Sequence, residues 1–248
     1  MRSPGRMRRV VLFAGLALLV LLASSRLLLA DGLADVRAGL DRLSATAPVK
    51  ARVETSRQET EKEKPKGPLK KGEAVVEHGP SGLSVHLAPE WLPKPGTKAE
   101  RKKQEETTVR LDPGQALKLV DPAAEIRQLL DGATLVSDRN ETFEGKMLRT
   151  VVLHPVPDVD EEERKSLKRY EDVVTLRLDA DSVPLALDRT LEIKVSKMLI
   201  SFTVTHRESS RFVRAAGRLI TATASEESNG SGLGQSGGAK SRWTVTPL

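Results

Sequence analysis

The histidines at 78, 86, 154 and 206 are the only imidazoles available for metal or proton chemistry, and their spacing serves neither. With no HExxH or H-x-H pattern, they read as exposed or strand-edge residues rather than ligands. The acidic run Asp158, Asp160, Glu161, Glu162 and Glu163 is too regular, and lacks the turn glycine, for a calcium loop. It reads as the start of a solvated helix. Gly230-Ser231-Gly232-Leu233-Gly234 has the look of a phosphate cradle. The following Gln235-Ser236-Gly237-Gly238 cannot cheaply form the helix that a cradle needs, so a floppy hairpin loop is expected. Ser209 and Ser210 lie close to His206 in sequence, but no G-x-S-x-G elbow presents either as a nucleophile. Asn140-Glu141-Thr142 and Asn229-Gly230-Ser231 match the glycosylation sequon, which matters only in a eukaryotic secretory pathway. The expectation is a chain without catalytic residues, metal or cofactor.

Composition points the same way. The absence of cysteine excludes disulfides, thiolate chemistry and Cys-based zinc or iron–sulfur sites. It also excludes a lipid anchor on an N-terminal cysteine. The net charge of +6 suggests nucleic acid until its distribution is considered. Arg2, Arg6, Arg8, Arg9 and Arg26 fall in the first 30 residues with no acid, which leaves only +1 on the remainder. Polyanion binding is therefore rejected, and no nucleic-acid partner is expected.

The basic head is followed by an apolar stretch from Val10 to Ala23 and small residues at Ala23, Ser24, Ser25 and Ala30. Residues 1–30 are read as a Sec-type signal peptide. The alternative is an uncleaved inner-membrane anchor through residues 10–30, since a span needs about 20 apolar residues. Localisation is accordingly expected to be exported, and periplasmic in a bacterium.

The elements that must position any site fall in residues 31–248. Leu33, Val36, Leu40 and Leu43 make one apolar helical stripe behind Asp31. Val49, Ala51, Val53 and Thr55 alternate with charged residues as a strand. Residues 57–72 are polar and punctuated by Pro and Gly, and read as an exposed connection. Ala74–Glu77 and Leu83–Leu87 are expected strands about the turn at residues 79–82. Residues 93–106 read as a second polar insertion, a loop or loosely packed helix. Asp121-Pro122 through Leu130 and Gly132 has proline at the start and glycine past the end of a helix. Leu135–Asp138 and Lys146–Leu153 read as a hairpin, and Asp158–Tyr170 as a short solvated helix. From Asp172 the chain reads as successive strands joined by tight turns, an antiparallel meander. In it Leu185, Leu187 and Leu191 are placed on one face with Met198, Ile200, Phe202 and Val204.

The order helix, strand, hairpin, central helix and extended meander resembles the LolA/LolB lipoprotein-carrier superfamily, which includes RseB-type domains. The stretches that carry the resemblance are LADVRAGLDRLSATAPVKARVE, GKMLRTVVLHP and VVTLRLDADSVPLALDRT. The resemblance implies an α+β fold, a strongly curved antiparallel sheet forming an unclosed barrel with helices over its concave face. It also implies a cavity that holds acyl chains, while the missing cysteine sets aside a lipid-anchored, LolB-like protein.

The function expected is an exported, non-enzymatic binding module for an apolar ligand, a lipid or lipoprotein acyl chain. The ligand-binding face would be Leu185, Leu187, Leu191, Met198, Ile200, Phe202 and Val204. The alternative is an envelope protein-interaction or sensor module with a filled core, meeting its partner through a sheet edge or its long insertions.

Overall fold

A computed structural model describes residues 32–43, 47–62, 64–88, 91–92, 96–157, 159, 166–197 and 200–248. The expected signal peptide or anchor, Met198, and most of the expected helix at 158–170 lie outside them. Among the described residues no helix is long and apolar enough to cross a membrane.

Ten strands form one antiparallel sheet. They are β1 (Val49–Glu61), β2 (Lys64–Gly79), β3 (Gly82–Leu87), β4 (Thr134–Phe143), β5 (Lys146–His154), β6 (Leu167–Leu178), β7 (Pro184–Lys197), β8 (Ile200–Ala215), β9 (Arg218–Gly232) and β10 (Gln235–Pro247). Their spatial order is β3-β2-β1-β10-β9-β8-β7-β6-β5-β4, so the sheet is open, with β3 and β4 at its edges. The fold is α+β, and the sheet is not closed into a barrel. From β4 to β10 it is a pure meander, and β1 closes onto β10 in register Ala51↔Pro247 to Glu61↔Gly237.

Helices α1 (residues 32–41), α3 (Pro113–Val120) and α4 (Pro122–Leu130) pack on one face of this sheet, while α2 (Lys98–Thr107) lies against β2. Alternation explains which face is covered. Val36 and Leu40 of α1 and Ile126 and Leu130 of α4 meet Val151, Leu153, Val174, Leu176 and Leu187 in one core. Ala116, Leu119 and Val120 of α3 meet Ala51, Val53, Ala74, Val76, Trp243 and Val245 in a second. Two arginines lock α1 to α4. Arg37 donates to the carbonyl of Leu130 at 2.5 Å, and Arg127 donates to the carbonyl of Leu40 at 2.8 Å. Each guanidinium thus meets carbonyls at the other helix's C-terminal end, where intrahelical partners run out and the dipole favours a cation.

Several expectations need correction. Residues 57–72 are not a loose connection but the far half of the β1–β2 hairpin, with pairs such as Arg57↔Lys70 and Glu61↔Lys64. Charge matching holds this arm: Lys70 reaches Glu59 at 3.0 Å and Lys66 reaches Glu61 at 3.1 Å. Residues 226–240 are likewise a regular hairpin rather than a floppy loop. Leu233 and Gly234 both have positive φ, the geometry of a two-residue turn that matches strand twist. In the 93–106 insertion the helical alternative is the one present: α2 is a helix with a reciprocal cap between Thr97 and Glu100. Leu167–Tyr170, expected as the end of a solvated helix, is the start of β6. Helix α3 was not anticipated, although the Asp112 side chain caps it by accepting from the Gln115 amide at 2.9 Å, with Pro113 at its first turn.

Candidate functional site

The meander register lays out the helix-bearing face row by row. At its covered end Leu187 stands opposite Leu176 and Ser210, and these strands, with Phe212, bury their side chains beneath α4. One step further along, Arg189, Glu208 and Glu226 stand directly opposite one another across β7, β8 and β9. The row continues through Ser241, Arg57 and Lys70. This belt of charge marks the line where helical cover ends.

Beyond the belt the face turns apolar again on β7 and β8. Leu191 lies opposite His206, Ile193 opposite Val204, and Val195 opposite Phe202. Phe202 and Val204 are 45% and 42% exposed, whereas Leu187 on the same face is 3% exposed. On β9 and β10 the facing positions are small: Ser228, Gly230 and Gly232, then Ala239 and Gly237. Phe202 rests over Gly232, where an added Cβ would lie 2.3 Å from the ring.

The belt has its own electrostatics. Asp172, almost fully buried, accepts two hydrogen bonds from Arg189, 3.0 Å from Nε and 2.7 Å from Nη2. This contact holds the Arg189 guanidinium above its ordinary range. Among the described residues Glu208 has no such partner. Burial, together with the charges of Glu125 and Glu226, pushes its carboxyl up to about 7, against the pull of Lys118 and Arg189. Lys118 on α3 bonds Glu125 on α4 at 2.6 Å. Burial would lower the Lys118 ammonium, but the Glu125 bond and the charges of Glu125, Glu208 and Glu226 outweigh it and raise it. The three carboxylates do not make a metal set, and among the described residues no group of His, Asp and Glu does.

The gap between the helices and the sheet, lined by Lys118, Ile126, Leu187, Glu208, Phe212 and Trp243, holds a cavity of about 30 Å³. That is room for one water molecule, not for an acyl chain.

The anticipated binding residues therefore separate. Leu187 belongs to the dry core under α4. Leu191, Phe202 and Val204 share its face but lie past the belt. Leu185 sits at the irregularity where the β6 partner of Pro184 is Leu178, and is half-buried. Ile200 pairs with Lys197 at the β7–β8 tip. Glu208 was not anticipated, yet it is in phase with Phe202 and Val204, and a carboxylate in step with an apolar series is a readable signal. The histidines are not uniformly exposed: His78 is half-buried, with its Nδ1 3.0 Å from Arg218. The two serines diverge. Ser209 donates to Asp188 on the opposite face, and Ser210 is buried in the core layer. Comparison with family models and with curated proteins finds no match to this chain.

Proposed function

We propose that the protein is a non-enzymatic binding module for an apolar ligand, a lipid or lipoprotein acyl chain, acting in the cell envelope after export. In this reading the sheet curves around its helices as an unclosed barrel of the LolA/LolB type. The ligand lies on the open part of the helix-bearing face, past the charged belt, not between helices and sheet. The observation that carries the reading is the exposure of Phe202 and Val204 on the face that is dry core only a few residues away. Leu191, Ile193 and Val195 extend the same patch across β7. Each acyl CH₂ buried there contributes about 0.8 kcal/mol, so affinity would grow with chain length.

Titration with a fluorescent fatty acid tests this. Binding by the wild-type protein that strengthens with chain length, and falls at least tenfold in Phe202→Asp with an unchanged circular dichroism spectrum, supports the proposal. Absence of binding, or equal binding by the variant, overturns it. Because residue 202 is half exposed, the introduced carboxylate keeps water and the fold is expected to survive.

A second reading, an envelope interaction or sensor module, is favoured by the water-sized cavity under α3 and α4 and the long polar β1–β2 arm. It predicts that fatty acids do not bind.

A further inference from the structure

The face of the sheet that bears no helices is laced with cross-strand charge pairs over most of its area. Lys50 pairs with Glu77, Arg52 with Glu73, Arg169 with Glu192, and Asp188 is held by both Arg177 and Arg211. The tips of β8, β9, β10 and β1 break this pattern. There the face dips into a trough of about 550 Å³ that crosses four strands, within the size range of small-molecule sites.

The lining is hydroxylic. Thr203 and Thr205 come from β8, Ser231 from β9 and Ser236 from β10, and none of their hydroxyls bonds to another group among the described residues. The floor is opened by glycines. At Gly238 the missing side chain leaves room for the Asn229 amide oxygen, which lies 2.4 Å from where a Cβ would be. Asn229 and Lys240 both hold Glu227, at 3.1 and 3.0 Å, and keep its carboxyl below the ordinary range. Arg207 stands directly opposite Glu227 on β8 and makes no hydrogen bond or ion pair among the described residues. Lys240 bonds Glu227 directly and Arg207 acts on it only through its charge, so the trough carries two cations to one carboxylate and the Arg207 guanidinium keeps its hydrogen-bond donors for a ligand.

Among the described residues no aromatic ring lines the trough, so stacking on a nucleobase or a sugar face has no platform there. The geometry points to a second binding site on this face, for an acidic saccharide whose hydroxyls meet the Ser/Thr array and whose carboxylate meets Arg207. Hydroxyl side chains supply donors and acceptors in the alternation that sugar hydroxyls need. The guanidinium matches a carboxylate in two parallel bonds. The trough side chains project from the opposite side of the strands to Phe202 and Val204, although a neighbouring cavity at the strand tips is lined by residues of both sets.

Isothermal titration of the whole protein with an oligogalacturonate, a neutral malto-oligosaccharide of matched length and inorganic phosphate tests it. The acidic oligosaccharide is expected to bind, with Arg207→Ala weakening it at least about tenfold, the loss that follows from removing one charged hydrogen bond. Thr205→Val and Ser231→Ala should each weaken it severalfold. Arg207 is exposed and Thr205 half-buried, so folding is expected to be retained and is checked by circular dichroism. Three results would each overturn the proposal: no binding of the acidic oligosaccharide, equal binding of the neutral one, or binding of inorganic phosphate as tight as that of the saccharide.

Discussion

The ring of Phe202 occupies the space that a side chain at Gly232, its direct partner across β8 and β9, would need. An aromatic residue laid over a cross-strand glycine covers bare backbone and pins its own rotamer. Gly232→Ala should expel the ring from this seat. Stability is expected to change by less than about 1 kcal/mol, because the site is at an exposed sheet tip. Affinity for a fluorescent fatty acid should drop while the thermal midpoint hardly moves; an unchanged affinity would show that the ring's position has no bearing on binding.

Glu208 should make stability fall as pH rises. Its folded carboxyl titrates near 7 and its unfolded one near 4.5, so between these values the folded protein holds a proton that the unfolded chain has released. Folding is then favoured most below about pH 4.5, and this contribution is lost by pH 7, to the extent of roughly 3 kcal/mol at most. Glu208→Gln is expected to raise the denaturant midpoint at pH 8 and to leave it nearly unchanged at pH 4.5. A gain of equal size at both pH values would contradict the shift.

Asp172 and Arg189 form a two-bond ion pair on the helix-bearing face, and its members are not symmetric. Asp172 is buried, whereas Arg189 is partly open to solvent. Arg189→Ala strands a buried carboxylate and should cost about 3–5 kcal/mol in urea unfolding. Asp172→Leu combined with Arg189→Leu should recover most of that loss. A double variant as unstable as the single one would mean that the pair's other hydrogen bonds carry the stability.

Gly72 is where the chain leading into α3 crosses β2. A Cβ there would lie 2.1 Å from the carbonyl oxygen of Val109, and the Val109 amide bonds the carbonyl of Lys71 at 2.9 Å. Backbone cannot yield as a side-chain tip can. Gly72→Ala should therefore cost at least about 2 kcal/mol and increase amide exchange in α3, while the β6–β8 ladders stay protected.

What could be read from the residues follows a physical line. Wherever one face is dry the period of two is visible, and β1, β6 and β7 were legible for that reason. Past residue 56 in β1, and past 226 in β9, neither face carries a dry apolar core (Thr60 is buried but polar), so the pattern vanishes although the ladder continues. Those two hairpins looked like loops because their stability comes from turn geometry and cross-strand charges, not from apolar alternation. Helix α4 was legible from Asp121-Pro122 and Gly132, whereas α3 begins with the same Asp-Pro pair at 112–113 but is short and carries Gly114 in its first turn. The division of the apolar series into core and open patch was not legible at all. It depends on where α3 and α4 stop over the sheet, which is a matter of tertiary placement.

The pairing of β1 with β10 has a consequence for how the chain comes into being. β10 is synthesised after the other nine strands of the sheet, and Trp243 and Val245 complete the core in which Ala51 and Val53 take part. Until it emerges, β1 has one neighbour only and offers a free row of amides and carbonyls along 13 residues. A nascent chain of this design cannot close its sheet early. Its β1 edge stays unpaired until synthesis has passed residue 247, a sticky edge that must be shielded in the meantime.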